Sequence, residues 1–145
     1  MLKASLWLFL LLGASSLGTG LIYLTRSEFM PYHSQALQIQ WSALSPHYQG
    51  LLLGMLKGLA AGQIVAGLAT LLMSAMSLRR SARPYVVLLP VVCLGYSLLI
   101  TYATYVVASR TPGEPPLFLG VVAILLATAA SAMLHVGIRG EPDHL

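Results

Sequence analysis

Lys57 has the most unusual setting of any ionisable residue in the chain. Leu51-Leu52-Leu53-Gly54-Met55-Leu56 precede it and Gly58-Leu59-Ala60-Ala61 follow it. A charge inside a bilayer is costly and is kept where it pairs, snorkels or works. Two uses compete here. Near a membrane boundary the long stem would snorkel, on the same side as Glu28 and Glu114. Turned into a helix bundle, the ammonium would meet Tyr102 or Tyr105 and form a substrate or proton site. Gln63 is the other mid-span polar residue. It stands about 120° from Lys57 around a straight helix, so an interhelical hydrogen bond of about 1 kcal/mol is its simpler use.

Other chemistries lack their parts. Bis-histidine haem ligation needs two imidazoles on facing helices. His33 and His47 instead share one connection, His135 stands at the end of the last apolar run and His144 in the tail. The first two offer at most a surface metal site, with no clustered thiolate or carboxylate beside them. All the acids, Glu28, Glu114, Glu141 and Asp143, fall outside the apolar runs. No serine or threonine has a histidine and an acid in a recognisable arrangement, so most should bond to helix carbonyls. Cys93, the lone cysteine, reads as a small core hydrophobe within Val91-Val92-Cys93-Leu94. No catalytic residue, metal or cofactor is therefore expected.

The elements that would carry these residues follow from composition. Of 145 residues 57% are apolar and 8% charged, with mean hydropathy +0.80, against roughly 25% charged in soluble domains. A soluble globule is excluded. Four runs, residues 5–25, 48–78, 85–108 and 117–136, are each long enough to cross a hydrocarbon layer of about 30 Å. The fold class is thus all-α integral membrane, a single four-transmembrane-helix bundle. The first run also resembles a secretory signal, with small residues at Gly13-Ala14-Ser15-Ser16. Apolar character resumes through Leu21-Ile22-Tyr23-Leu24, which favours an uncleaved anchor. Ser45-Pro46 marks a helix start, Pro90 should kink the third span in its first half, and Pro112-Gly113 suits the centre of a type II turn.

The net charge of +4 does not point to nucleic acid, because the basic residues stand at span ends rather than in a patch. Lys3, Arg79, Arg80, Arg83 and Arg139 fall on one side of the membrane and Arg26 and Arg110 on the other. The positive-inside bias then places both termini in the cytoplasm.

The second span carries the strongest pattern: Gly50, Gly54, Gly58 and Gly62 at four-residue spacing, continued by Ala66, Thr70 and Ser74. Such a glycine zipper drifts about 40° per step and suits an oblique partner helix approaching closely. That partner would be a second subunit or, within the chain, Ala14-Gly18 or Ser16-Gly20 of span one or Ala123-Ala127-Ser131 of span four. If Arg79 and Arg80 pin one end at an interface, the other interface falls near Leu59. Residues 46–58 then project into the headgroups or dock on the preceding loop.

That loop, residues 26–47, is amphipathic and aromatic, with Phe29, Tyr32 and Trp41, and is expected to lie on the membrane as a lid or an interfacial helical turn. Phe29-Met30-Pro31-Tyr32-His33, followed by Trp41 and the glycine-rich second span, resembles an uncharacterised group of small four-span bacterial membrane proteins; His47 completes the outer-loop set. The resemblance covers roughly residues 17–73. It implies a compact bacterial inner-membrane bundle and brings no activity, cofactor or catalytic residue. The functional expectation is a non-enzymatic accessory or scaffold subunit that packs against another membrane protein, a second copy or lipid. The rivals are a small transporter or channel using Lys57 and Gln63, and a membrane redox or lipid enzyme using the histidines and tyrosines at the loop side.

Overall fold

Backbone hydrogen bonds cannot be left open in hydrocarbon, so an apolar chain of this kind closes them within helices. The computed structural model describes residues 1–80 and 83–139, and their regular elements are all helical. Helix α1 spans Leu2–Thr25, α2 Pro31–Leu37, α3 Pro46–Arg80, α4 Arg83–Arg110 and α5 Leu117–Arg139, with one 3₁₀ turn at Trp41–Ala43. Ser81 and Ala82 of the arginine loop, and the tail with Glu141, Asp143 and His144, lie outside the described residues. Four helices, α1, α3, α4 and α5, are long and apolar enough to cross a membrane, and they pack as a bundle. Each contains the span expected from sequence and extends it by at most three residues at either end. Helix α4 runs on both sides of Pro90.

The four long helices form a ring in the order α1, α3, α4, α5, with α1 and α4 nearly out of contact across it. The α1–α3 contact is the most extensive and α3–α4 the loosest between neighbours. Glycine explains the first. A Cβ on Gly67 would lie 2.6 Å from Leu17 N and 2.8 Å from Gly13 O, and one on Gly20 2.9 Å from Ile64 N. The two backbones touch where side chains are missing, which is the main source of helix attraction in lipid.

The buried core occupies the bundle end that holds Leu2 and Ile138. Leu6 and Phe9 of α1, Val86, Leu89 and Cys93 of α4, and Ala127, Ala130 and Leu134 of α5 form one cluster. Gly137 brings α5 against Leu2 at that same end.

Two local expectations are corrected. Gly50, Gly54 and Gly58 meet nothing within 4 Å, and Gly62 meets only the Tyr96 ring and hydroxyl. The zipper is therefore not what packs the chain internally. Its drift carries Thr70 and Ser74 into the buried face while its glycine half turns away. On α1 the Ser16-Gly20 pair is used and Gly18 is bare, because contact is made along the stripe that faces Gln63, Ile64 and Gly67. The second correction concerns Gly113, which has no positive φ, so Pro112-Gly113 is not the centre of a type II turn. Glycine is needed there for space, since a Cβ would lie 2.7 Å from Tyr32 O and 2.8 Å from Ala36 Cβ.

These contacts separate two kinds of glycine. Gly67→Ala should lower the detergent melting temperature, with overpacking against backbone costing about 1–3 kcal/mol. Gly58→Ala should stay within about 0.5 kcal/mol of the parent. Equal melting curves for the two variants would refute the glycine-mediated α1–α3 contact.

Candidate functional site

The half of the bundle under α2 is not filled like the terminal half. Between the four long helices lies a cavity of about 470 Å³. Helix α1 lines it with Ser15, Ser16, Thr19 and Tyr23, α3 with Gln63 and Thr70, and α4 with Tyr96, Ser97, Thr101 and Thr104. Helix α5 contributes an apolar wall of Leu119, Val122, Ala123 and Leu126. No charged side chain lines it.

The four wall threonines spend their hydrogens on their own helices. Thr19 donates to Ser15 O at 2.9 Å, Thr70 to Ala66 O at 2.8 Å, Thr101 to Ser97 O at 2.6 Å and Thr104 to Ile100 O at 2.9 Å. Their oxygens remain acceptors only. Ser16 is different because its hydroxyl reaches across to α3, 2.8 Å from Gln63 Oε1 and 3.0 Å from Gln63 O. This is the interhelical use anticipated for Gln63. Tyr96 is different again: its hydroxyl oxygen is buried and has no hydrogen-bond partner. An unmet polar group of this kind costs about 1–3 kcal/mol.

The loop between α1 and α3 forms a cap over this end, in which no α2 residue is fully buried. Tyr32 of α2 lines the cavity, and its hydroxyl is 2.7 Å from that of Tyr23 on α1. Phe29 is buried and meets Trp41 edge-on, ring centroids 4.9 Å apart. The Met30 N–H donates to His33 Nδ1 at 3.1 Å, tying the start of α2. Gln49 of α3 donates to Trp41 O at 2.9 Å and Leu44 O at 3.3 Å, so the first turns of α3 dock on the loop. Gly113 and the Glu114 N–H, which donates to Gln35 Oε1 at 3.4 Å, attach the α4–α5 connection to α2. Phe29, Met30, Pro31, Tyr32, His33 and Trp41 thus share one structure, while His47 is exposed at the start of α3. Burial, and then the bond to Tyr23, hold the Tyr32 phenol well above the usual range, and burial holds the His33 imidazole below its own.

Lys57 serves the frame rather than the cavity. Its ammonium donates to Tyr23 O at 3.5 Å and to Leu24 O and Arg26 O. Those carbonyls are the open C-terminal end of α1, where a cation also meets the negative end of the helix dipole. The sequence grouping of Lys57, Gln63, Tyr102 and Tyr105 does not come together. Gln63 is in the wall, Lys57 is at the α1 end, and Tyr102 and Tyr105 are 66% and 55% exposed. The Lys57 clamp also sets depth: Gly54 and Gly50 lie about one and two turns beyond it, level with the cap rather than between the spans.

Sequence reasoning missed Tyr96, Ser97, Thr101 and Thr104. A signal was present, since Cys93, Ser97, Thr101 and Thr104 recur at helical spacing, as do Leu12, Ser15, Ser16, Thr19 and Tyr23 on α1. Among the described residues, no three His, Cys, Asp or Glu gather where they could hold a metal ion. Compared with protein-family models, curated proteins and solved structures, the chain matches none.

Two measurements test this frame. Lys57→Met should lower the melting temperature, with a loss of about 1–2 kcal/mol, and Lys57→Arg should recover part of it. A Met variant as stable as the parent would remove the clamp. For His33, the folded-state value lies below the ordinary 6.5, so the unfolded cap binds more protons between the two values. The contribution of His33 is present above pH 6.5 and is lost as pH falls through the folded-state value. In a Trp7→Phe background, Trp41 fluorescence should therefore report a cap transition below pH 6.5 that His33→Gln abolishes. A transition that persists in His33→Gln assigns the effect elsewhere.

Proposed function

We propose that this four-span membrane protein is a non-enzymatic binder that holds a small uncharged amphiphile between its helices, beneath the α2 cap. The observation that carries this reading is the 470 Å³ cavity between the four helices, hydroxyl-bearing on three of them and apolar on the fourth. Protein interiors are otherwise close-packed, and a concave space with a few polar groups against an apolar wall is the usual form of a small-molecule site. The wall supplies hydrogen-bonding groups along three helices and apolar surface along the fourth, with no carboxylate, imidazole or amine among them. It offers hydrogen bonds without an obvious general base, which suits retention better than turnover. A transport role that places Lys57 on the path is less well supported, because its ammonium is taken by α1 carbonyls. The surplus of basic residues at the terminal end favours a cytoplasmic location for both termini and an exported cap.

Protein extracted gently from its native membranes should carry one small lipid-soluble molecule per chain. Ala66→Leu and Ala123→Leu, which fill the cavity, should release it without lowering the melting temperature. A wild-type chain free of any such molecule, or filled variants that retain it, would overturn the reading.

A second reading, an accessory or scaffold subunit bound to another membrane protein, a second copy or lipid, is favoured by the bare edge of Gly50, Gly54 and Gly58. In native mass spectrometry it requires an assembly that Gly54→Leu and Gly58→Leu dissociate. Only the 15.5 kDa chain with its small ligand would count against it.

A further inference from the structure

On the binding reading above, the wall of the cavity also restricts which amphiphile fits, because its character changes along the helix axes. The part next to the closed Leu6–Phe9–Leu89–Leu134 core is formed by Leu12, Val92, Cys93 and Leu126. Its one threonine, Thr70, is 3% exposed, donates to Ala66 O and lies beside Cys93 Sγ, so this part is a place for hydrocarbon. The part beneath the cap is bounded by Thr19 and Tyr23 of α1, Tyr32 of α2 and Thr104 of α4. None of these is buried. Thr19 stands about 10 Å along α1 from Leu12, enough to separate a polar end from an alkyl portion.

The polar end must be uncharged, since no charged side chain lines the cavity and an ionised group would lose its hydration with no counter-ion to replace it. Hydrogen bonding narrows the class further. Thr19 and Thr104 donate their hydrogens to Ser15 O and Ile100 O, which leaves their oxygens able only to accept. Donors are present as well. Gln63 accepts from Ser16 through Oε1 and keeps its amide N–H groups, and the Tyr23–Tyr32 pair uses one hydroxyl hydrogen between its oxygens and keeps the other. A ketone, ester or ether would engage those donors alone and leave the threonines idle. A hydroxyl is the smallest uncharged group that engages both kinds, donating to a threonine oxygen while accepting from an amide or phenol. In a water-poor site an O–H that finds no acceptor keeps its whole desolvation cost, so the threonine oxygens are what admit it here.

We infer that the cavity takes a neutral lipid alcohol, its hydroxyl beneath α2 donating to Thr19 or Thr104 and its alkyl portion directed toward Cys93.

Cys93 is the lone cysteine and lines the far part of the cavity, so its rate of modification by N-ethylmaleimide reports whether that part is filled in the full chain reconstituted in lipid nanodiscs. Three probes match in length and differ in one group: 1-decanol, methyl nonyl ether and undecane. The alcohol should protect Cys93 at a mole fraction in the bilayer about fivefold lower than either of the others, the worth of one neutral hydrogen bond. In the Thr19→Val, Thr104→Val double variant, which keeps side-chain shape and removes both acceptors, that advantage should disappear. Ala123→Leu, which fills the cavity, should remove the response to all three probes and so separates occupancy from a general effect of alcohol on the bilayer. Where Cys93 reacts too slowly in the empty protein, melting shifts with the same probes give the same comparison, and the alcohol–ether difference in the parent chain decides alone if the double variant does not fold. Equal protection by the ether, or an alcohol advantage that persists in the double variant or in Ala123→Leu, would each overturn the inference. If a co-purifying molecule is displaced by Ala123→Leu while the alcohol shows no advantage, the ligand class is wrong and the binding reading survives. If no molecule is displaced and no probe protects, both fall.

Discussion

Backbone contact between α1 and α3 is the constraint on which the rest of the bundle depends. In lipid, apolar side chains gain little by leaving the solvent for one another, so attraction between helices rests on close fit and on polar groups that meet. Gly13, Gly20 and Gly67 supply the fit by letting main-chain atoms approach to distances that a Cβ would forbid. Once that register is set, Ser16 reaches Gln63, and Lys57 reaches the carbonyls that end α1. The Ser16 contact in particular follows from the glycine contact, because its short side chain could not span a wider gap.

The same constraint explains why the bundle is dense at one end and open at the other. Helix α3 is committed to α1, which leaves its contact with α4 comparatively loose. Near the termini Leu6, Phe9, Leu89 and Leu134 fill the space. Toward the cap the equivalent layers hold Ser, Thr and Gln, residues too small or too occupied with their own helices to close it. The cavity is thus the geometric remainder of one tight helix pair and a change of residue size along α1 and α4. Tyr96 lines it with its unmet hydroxyl packed out of reach, and Tyr32 of α2 lines its end, hydroxyl to hydroxyl with Tyr23.

Glycines that look alike in sequence have opposite surroundings here. Gly50, Gly54 and Gly58 form the more regular series, yet they meet nothing, whereas the irregularly spaced Gly13, Gly20 and Gly67 meet backbone. A four-residue repeat drifts around a helix, so it faces one neighbour only over a short length. Here the half that faces inward is the one that has become Ala66, Thr70 and Ser74. Gly113 teaches a related point: a Pro-Gly pair suggested a turn needing positive φ, and the residue is instead glycine because α2 lies against it.

Much of the architecture was legible in the chain. Long apolar runs bounded by charge and proline determine four membrane-crossing helices, because unpaired peptide groups are intolerable in hydrocarbon, and the ends came within three residues. The aromatic composition of residues 26–47 pointed to a lid or an interfacial helical turn, and the segment holds the short helix α2 with Tyr32 at the cavity. The partners of each helix face were decided only by tertiary structure. Hydropathy is high on every side of these spans, so it carries little directional information about which face meets protein and which meets lipid. Lys57 could have turned toward Tyr102 as well as toward α1, and only the close α1–α3 register places the α1 carbonyls within its reach. Tyr96 was one aromatic among several until the folded bundle buried its hydroxyl without a partner. Residue types and spacing therefore set the elements and their lengths, while the site emerged from which backbones could touch.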